Sequence, residues 1–277
     1  MNIRPIIKKN ARESLKHHWG RAIGILLFLF AVNAVFLLLE QLFYYLLSMN
    51  GTVEPALVVD LFRGQLRVTW SMALVTLTFA LVSFVLTTPL MFGMTKWYFH
   101  QVGGERPSLL TLFTYFYSIR DLARSLALRV MLGVRVLLWG ALFGLPSAVL
   151  AFGIEAAAGY GGSFALLAVL GLILLEAVVT VIMALLWFCW VQRYFLAEYL
   201  FVSRADMGLH AMIRESVRIM KGNRWDAAKL YLSYLPWYLL GLLVVPLLFT
   251  APYLFAGTAI NARVLLERDA RNQTEQI

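Results

Sequence analysis

The chain has 277 residues, of which 61% are hydrophobic and only 14% charged, with a mean hydropathy of +0.76 and a formal net charge of +9. Roughly a quarter of a typical soluble protein is charged, so an ordinary water-soluble fold is excluded. Apolar stretches recur, each long enough to cross a hydrocarbon core of about 30 Å as a helix, and the chain reads as an all-α, polytopic membrane helix bundle forming a single membrane domain over 1–277.

In chain order, residues 1–21 read as a cytoplasmic amphipathic segment: Ile7, Ala11, Leu15 and Trp19 recur near helical spacing, while Lys8, Lys9, Arg12 and Lys16 face elsewhere. The apolar run over 22–48 is 27 residues long with no clear small-x-small cleavage site after it, and is expected to remain as an uncleaved first span. A second span covers 68–95. On it Thr69, Thr76, Ser83 and Thr87 stack their hydroxyls on one face, ending just before Pro89; such hydroxyls either line a polar path or bond a neighbouring helix or their own backbone. The third span, 128–154, carries Gly133, Gly140 and Gly144 on one face, the last pair forming a Gly-x-x-x-Gly packing motif. The fourth, 164–190, carries Glu176 and the sole cysteine, Cys189, among Trp187, Phe188 and Trp190, so neither an internal disulfide nor a cysteine metal site is available. Residues 228–247 and 250–266, broken by Pro246 and Pro252, read as a tight hairpin of two short spans or as one crossing with a re-entrant piece. A cytoplasmic tail, 267–277, follows. The expectation is six transmembrane helices with amphipathic cytoplasmic helices.

Basic residues collect on the cytoplasmic side. Lys and Arg number six over 1–21, six over 96–135, seven over 191–229 and three from Arg263 onward, whereas 49–67 and 155–163 together hold only Arg63 and Arg67. Both termini are therefore expected to be cytoplasmic, with Glu54 and Gly161 facing outward. The net charge follows from topology, and a nucleic-acid partner, which needs a soluble basic surface, is not expected.

Ser118 with Asp121, Ser203 with Asp206 and Asn223 with Asp226 each place a capping side chain before a carboxylate and predict helix starts. The second opens a helix with Leu209, Ile213, Val217 and Met220 on one face and Arg214, Arg218 and Lys221 on another, ended by Gly222. That basic face is expected to meet anionic phospholipid headgroups of the bilayer.

Several segments, taken in order, carry a family likeness: Lys8 to Ala11 through Leu15 to Trp19, Gly20 and Ala22; Gly104 to Ser108 leading to Leu112 and Phe113; Glu215 and Ser216 through Met220 to Asn223, then Leu232, Ser233 and Trp237; and Pro252 and Tyr253 with Thr258 and Ala259. In this order they resemble the bacterial integral membrane proteins grouped as domain of unknown function 975. The resemblance implies a six-span membrane fold in a bacterial cytoplasmic membrane and carries over no catalytic residues. One departure is that such proteins often show a proline and a glycine in the fourth span, and Glu176 to Trp190 has neither.

No catalytic set, cofactor site or metal site is expected. His17, His18, His100 and His210 lack partners at metal-ligand spacing, and no serine sits in a Gly-x-Ser-x-Gly elbow. Ionisable groups inside spans are costly and so informative. Glu176 lies near mid-span, where the nearest cationic candidate is Arg135 and the neutral ones are Asn33, Thr76, Ser83 and Thr87. Two functional readings remain open. One is a noncatalytic scaffold or regulatory component that binds a membrane protein partner or a second copy of the chain. The other is a transporter or lipid-handling protein with an internal polar site around Glu176.

Overall fold

A computed structural model describes residues 4–49, 70–159, 162–204, 206–241 and 243–275. Every regular element among them is a helix: α1 (Arg4–Leu15), α2 (Trp19–Met49), α3 (Trp70–Gln101), a 3-10 helix (Leu109–Phe116), α4 (Ile119–Ala158), α5 (Gly162–Val191), a 3-10 turn (Gln192–Tyr194), α6 (Phe195–Ser203), α7 (Leu209–Ile219), α8 (Arg224–Leu232), α9 (Leu235–Leu240) and α10 (Val244–Thr274). Five stretches among the described residues are long and apolar enough to cross a membrane: Trp19–Leu47, Met72–Gln101, Ile119–Ala158, Ala165–Ser203 and Val245–Thr274. The expected exterior positions Glu54 and Gly161, and Thr69, lie outside the described residues.

The first, third and fourth expected spans each fall within one helix, as does the described part of the second, 70–95, and the helices run on beyond them. At 1.5 Å per residue the 40 residues of α4 run about 60 Å, twice a hydrocarbon core. Residues 228–247 differ more. They are not one helix, because α8 ends at Leu232 and a short α9 restarts at Leu235. Pro236, in the first turn of α9, has no N–H to continue the ladder from α8 and is tolerated where a helix begins. Nor is there a hairpin turn between 247 and 250, since α10 runs unbroken through Pro252 as far as Thr274, so the expected tail is helical over 267–274. Pro246 sits in the first turn of α10, where a missing N–H removes no intrahelical bond.

Contacts divide the chain into two compact units. The first comprises Ile3–Leu126 and Tyr238–Ile260. In it Ile7, Ala11 and Leu15 form the buried face of α1, as their spacing predicts. The lower half of α3 buries Leu90, Phe92, Trp97 and Tyr98, and the 3-10 helix lies against it. Ser108 caps the 3-10 helix, its hydroxyl accepting from Leu110 N; Trp97 Nε1 donates to Pro107 O at 3.2 Å, and Phe92 meets Tyr115 edge-on. Contact is closest at Gly93, where an added Cβ would lie 2.6 Å from Leu112 Cα. Higher up, Tyr44 of α2 donates to Met72 O and pairs with the Thr76 hydroxyl of α3.

The second unit comprises Ala127–Trp237 and Asn261–Ile277. Here α4 and α5 form an antiparallel pair whose register is marked by three contacts. Trp187 Nε1 donates to Val136 O at 3.3 Å, the Trp187 ring lies over Gly140, and Thr180 Oγ1 bonds Ser147 Oγ at 2.9 Å. Gly140 is thus approached by a helix of the same chain, whereas nothing lies within 4 Å of a Cβ built at Gly133 or Gly144. At the end of α5 the chain turns into α6, whose Leu196, Ala197 and Leu200 are buried with Met212, Ile213 and Met220 of the α7 segment. Arg129 of α4 reaches Glu198 of α6 at 2.6 Å. Gly222, at φ +91°, stops this segment in a conformation that L side chains rarely adopt.

Helices start after Ser118 and Asn223 as predicted but not at Ser203, and of the three side chains only Ser118 caps the helix that follows. Ser203 closes α6, its hydroxyl donating to Tyr199 O at 2.7 Å, and α7 begins at Leu209 after Gly208. Asn223 precedes α8, but its side chain turns back to donate to Ile219 O at 2.9 Å. Ser118 caps as predicted, accepting from Arg120 N at 3.2 Å.

Candidate functional site: an arginine-lined cleft

Within the second unit, α4, the 3-10 turn and α7 enclose a cleft of about 520 Å³. One helical face of α7 supplies His210, Ile213, Arg214 and Val217, whose 0, 3, 4, 7 spacing puts them in line. Arg135 of α4 and Arg193 and Tyr194 of the turn complete it.

The turn is held from several sides. Ser216, fully buried on α7, donates its hydroxyl to Arg193 O at 2.9 Å, docking α7 on the turn. Trp139 Nε1 donates to Tyr194 Oη at 3.1 Å. The Arg193 guanidinium sits 5.0 Å from the Trp190 ring, 5.6 Å from Tyr194 and 5.7 Å from Trp139, within the range at which an aromatic face attracts a cation. Arg224 stacks on Trp190 as well, at 5.0 Å. Burial, followed by the charge of Arg193, pushes its guanidinium below the ordinary arginine value. Arg193 Nε is buried and has no hydrogen-bond acceptor. No carboxylate is among the lining side chains. The cleft is therefore a rigidly supported, positively charged recess with an apolar edge at Ile213 and Val217, suited to holding an anion.

The residues singled out in the sequence fall in different places. Arg135 and Arg214, read as members of separate groups, meet at this cleft. Arg135 does not pair with Glu176: its Nη1 donates to Met131 O at 2.8 Å. The register explains why. Arg135 lies level with Arg193 and Tyr194, 17 residues beyond Glu176 on the same rod, which is about 25 Å at 1.5 Å per residue. Glu176 is half-buried and makes no hydrogen bond or ion pair among the described residues. Asn33, Thr76, Ser83 and Thr87 belong to the first unit. There Asn33 Nδ2 donates to Leu29 O and Thr87 Oγ1 to Ser83 O, both local backbone bonds.

Arg218 is held by two carboxylates while about half of its side chain stays exposed. Its Nε and Nη2 fork onto Glu215 at 2.9 and 2.7 Å, and Nη2 also reaches Asp269 of α10 at 2.6 Å. Arg214 and Lys221 are exposed. Sequence reasoning missed Arg193, Tyr194 and His210 as site residues; the detectable signal was the His210 to Val217 spacing following an arginine flanked by Trp190 and Tyr194.

With no partner to lose, Glu176→Gln is expected to leave the thermal midpoint of the purified protein unchanged, and Glu176→Leu to raise it, because a carboxyl at that depth costs about 2.5–3.5 kcal/mol on insertion scales. A lowered midpoint for the glutamine variant would mean that a partner for the carboxylate exists.

A family model, "Protein of unknown function (DUF975)", matches residues 1–266. No curated protein and no solved structure matches the chain.

Proposed function

The chain belongs to the DUF975 family, and we propose that it is a noncatalytic, multi-pass component of a bacterial cytoplasmic membrane that organises or regulates a membrane partner. One observation carries the reading. Helices α6 to α8 pack into a block through buried Leu200, Met212, Met220 and Leu230, the ion pairs of Arg129 and Arg218 tether it, and it leaves Arg214, Lys221 and Trp225 exposed. A tryptophan left 58% exposed on a well-braced block that also exposes two cations is an arrangement that suits docking. Affinity purification in mild detergent with Trp225→Ala and Lys221→Gln as controls tests this. A co-purifying membrane protein retained by the native chain and lost in both variants is the expected result; no difference among the three would remove the docking role of this surface.

In this reading both termini are cytoplasmic, which requires an even number of crossings. The sixth is the interrupted stretch over 228–247. Ten basic residues lie at the ends of the last pair of crossings, seven over 191–229 and three from Arg263 onward, so both ends resist translocation. Impermeant thiol labelling of single-cysteine variants is expected to leave positions 221 and 275 unreactive in intact cells and reactive in inverted vesicles. Reaction at 275 alone in intact cells would mean five crossings and an exterior carboxyl terminus.

A further inference from the structure

We propose that the cleft formed by Arg135, Arg193, His210 and Arg214 binds the phosphate group of an anionic membrane lipid. Three features of the cleft carry the inference, independently of any protein partner.

The first is charge without compensation. Three guanidiniums and an imidazole converge on one recess that no carboxylate lines, while Glu215, Asp269 and Glu198, the carboxylates bonded nearby, are already engaged with Arg218 and Arg129. Like charges gathered in this way repel, and an anion of the right geometry relieves the repulsion. Arginine is the side chain whose planar fork matches phosphate oxygens two at a time.

The second is an unmet donor. Arg193 Nε is buried with no acceptor, although its guanidinium is held in place by three aromatic rings and its backbone carbonyl by Ser216. With Nε shut away among those rings, the terminal nitrogens of this fixed guanidinium are the donors left for a ligand oxygen in the cleft. The third is the setting. About 520 Å³ far exceeds the space one inorganic phosphate needs and suits a glycerophosphate headgroup. Trp139, Trp190 and Tyr194 are the residue types that collect at the membrane–water interface. One helical turn and two turns beyond Arg135 on α4, Leu138 and Leu142 are exposed and give acyl chains an apolar track leading away from the cleft.

The test uses the full-length protein in phosphatidylcholine nanodiscs doped with phosphatidylglycerol, with retained lipid read by native mass spectrometry after release into detergent. The native chain is expected to retain phosphatidylglycerol over phosphatidylcholine. Arg214→Gln and Arg135→Gln are each expected to lower that retention about tenfold or more, the effect of losing a charge-assisted bond. Lys221→Gln, which removes an exposed cation of the same block outside the cleft, is expected to leave it unchanged. Arg193→Lys keeps the charge but loses the fork and the stacking, and is expected to fall with the glutamine variants while eluting as the native protein does. Equal losses in Lys221→Gln and Arg214→Gln would show diffuse surface attraction and overturn the site. Unchanged retention in all four variants would overturn it too. Glycerol 3-phosphate is the soluble arm: if it binds the cleft and phosphatidylglycerol is not retained, the ligand is a soluble phosphate ester and the lipid assignment fails.

Discussion

Replacing Gly93 by alanine is expected to lower the thermal midpoint of the protein more than any other single methyl added to a helix. The new Cβ would fall on the Leu112 backbone, 2.6 Å from its Cα, and a backbone has no rotamer by which to withdraw. Nor is there room for α3 to move aside, since Phe92, Met94 and Trp97 are buried on either side of the glycine. Relief therefore requires lifting the 3-10 helix, which loosens the Trp97 bond to Pro107 and the Phe92 contact with Tyr115. Overpacking typically costs about 1–3 kcal/mol, and a backbone clash belongs at the upper end of that range. Gly144→Ala is the control, because no atom lies within 4 Å of its Cβ. Alanine there is expected to stabilise by up to about 1 kcal/mol through helix propensity. Thermal scans of tryptophan emission on the two variants check both signs. A native midpoint for Gly93→Ala would mean that the 3-10 helix does not rest on α3.

The second large effect is expected at Arg218. Its guanidinium joins Glu215 of α7 to Asp269 of α10, and the two carboxylates hold it above the ordinary arginine value, Glu215 contributing most. Arg218→Glu would set three carboxylates against one another and is expected to destabilise the block by about 2 kcal/mol, more than the 0–1 kcal/mol typical of losing one exposed pair, since repulsion is added to loss. Combining it with Asp269→Arg should recover part of the loss, as a double-mutant cycle would show. The same clamp has a pH signature. Arg218 holds the Glu215 carboxyl below its ordinary value of 4.5, chiefly by hydrogen bonding, against the opposing effect of burial. A carboxyl depressed in the folded state stabilises above its unfolded value and ceases to do so as the pH falls through the folded one. The stability gap between the native protein and Glu215→Gln is therefore expected to be constant above pH 4.5 and to close below it. A gap that widened with acid would contradict the clamp.

The long helices were legible because composition alone determines them: an apolar run of such length has few stable alternatives in a bilayer. Local signals also held where one residue decides the geometry, as at Gly222 after α7 and at the Ile7, Ala11 and Leu15 face of α1. What failed were choices between two partners that the chain offers equally. Ser203 and Asn223 are each flanked by a helix on both sides, and each hydrogen-bonds the preceding one. Emphasis on Pro246 and Pro252 hid Pro236: the chain breaks before Leu235 as well as before Val244, and Pro252 lies inside an unbroken helix. The cleft was hidden for a different reason. It depends on the register of α4 against α5, which places Arg135 beside Tyr194 rather than Glu176, and register between two apolar helices is set by a few contacts such as Trp187 with Gly140 that no periodicity records. The eight-residue 3-10 helix carries too little pattern to be read, although Ser108 marks its start.

Cys189 is buried, and it is the only thiol in the chain. That circumstance gives the protein a built-in sensor of its own integrity. A dye that fluoresces only on forming a thioether should remain dark with the folded chain and brighten once α5 and its neighbours come apart, so the progress of unfolding can be followed in detergent without engineering a second cysteine. Replacing Cys189 by alanine would in turn yield a thiol-free background into which a single reactive probe can be introduced at any chosen position.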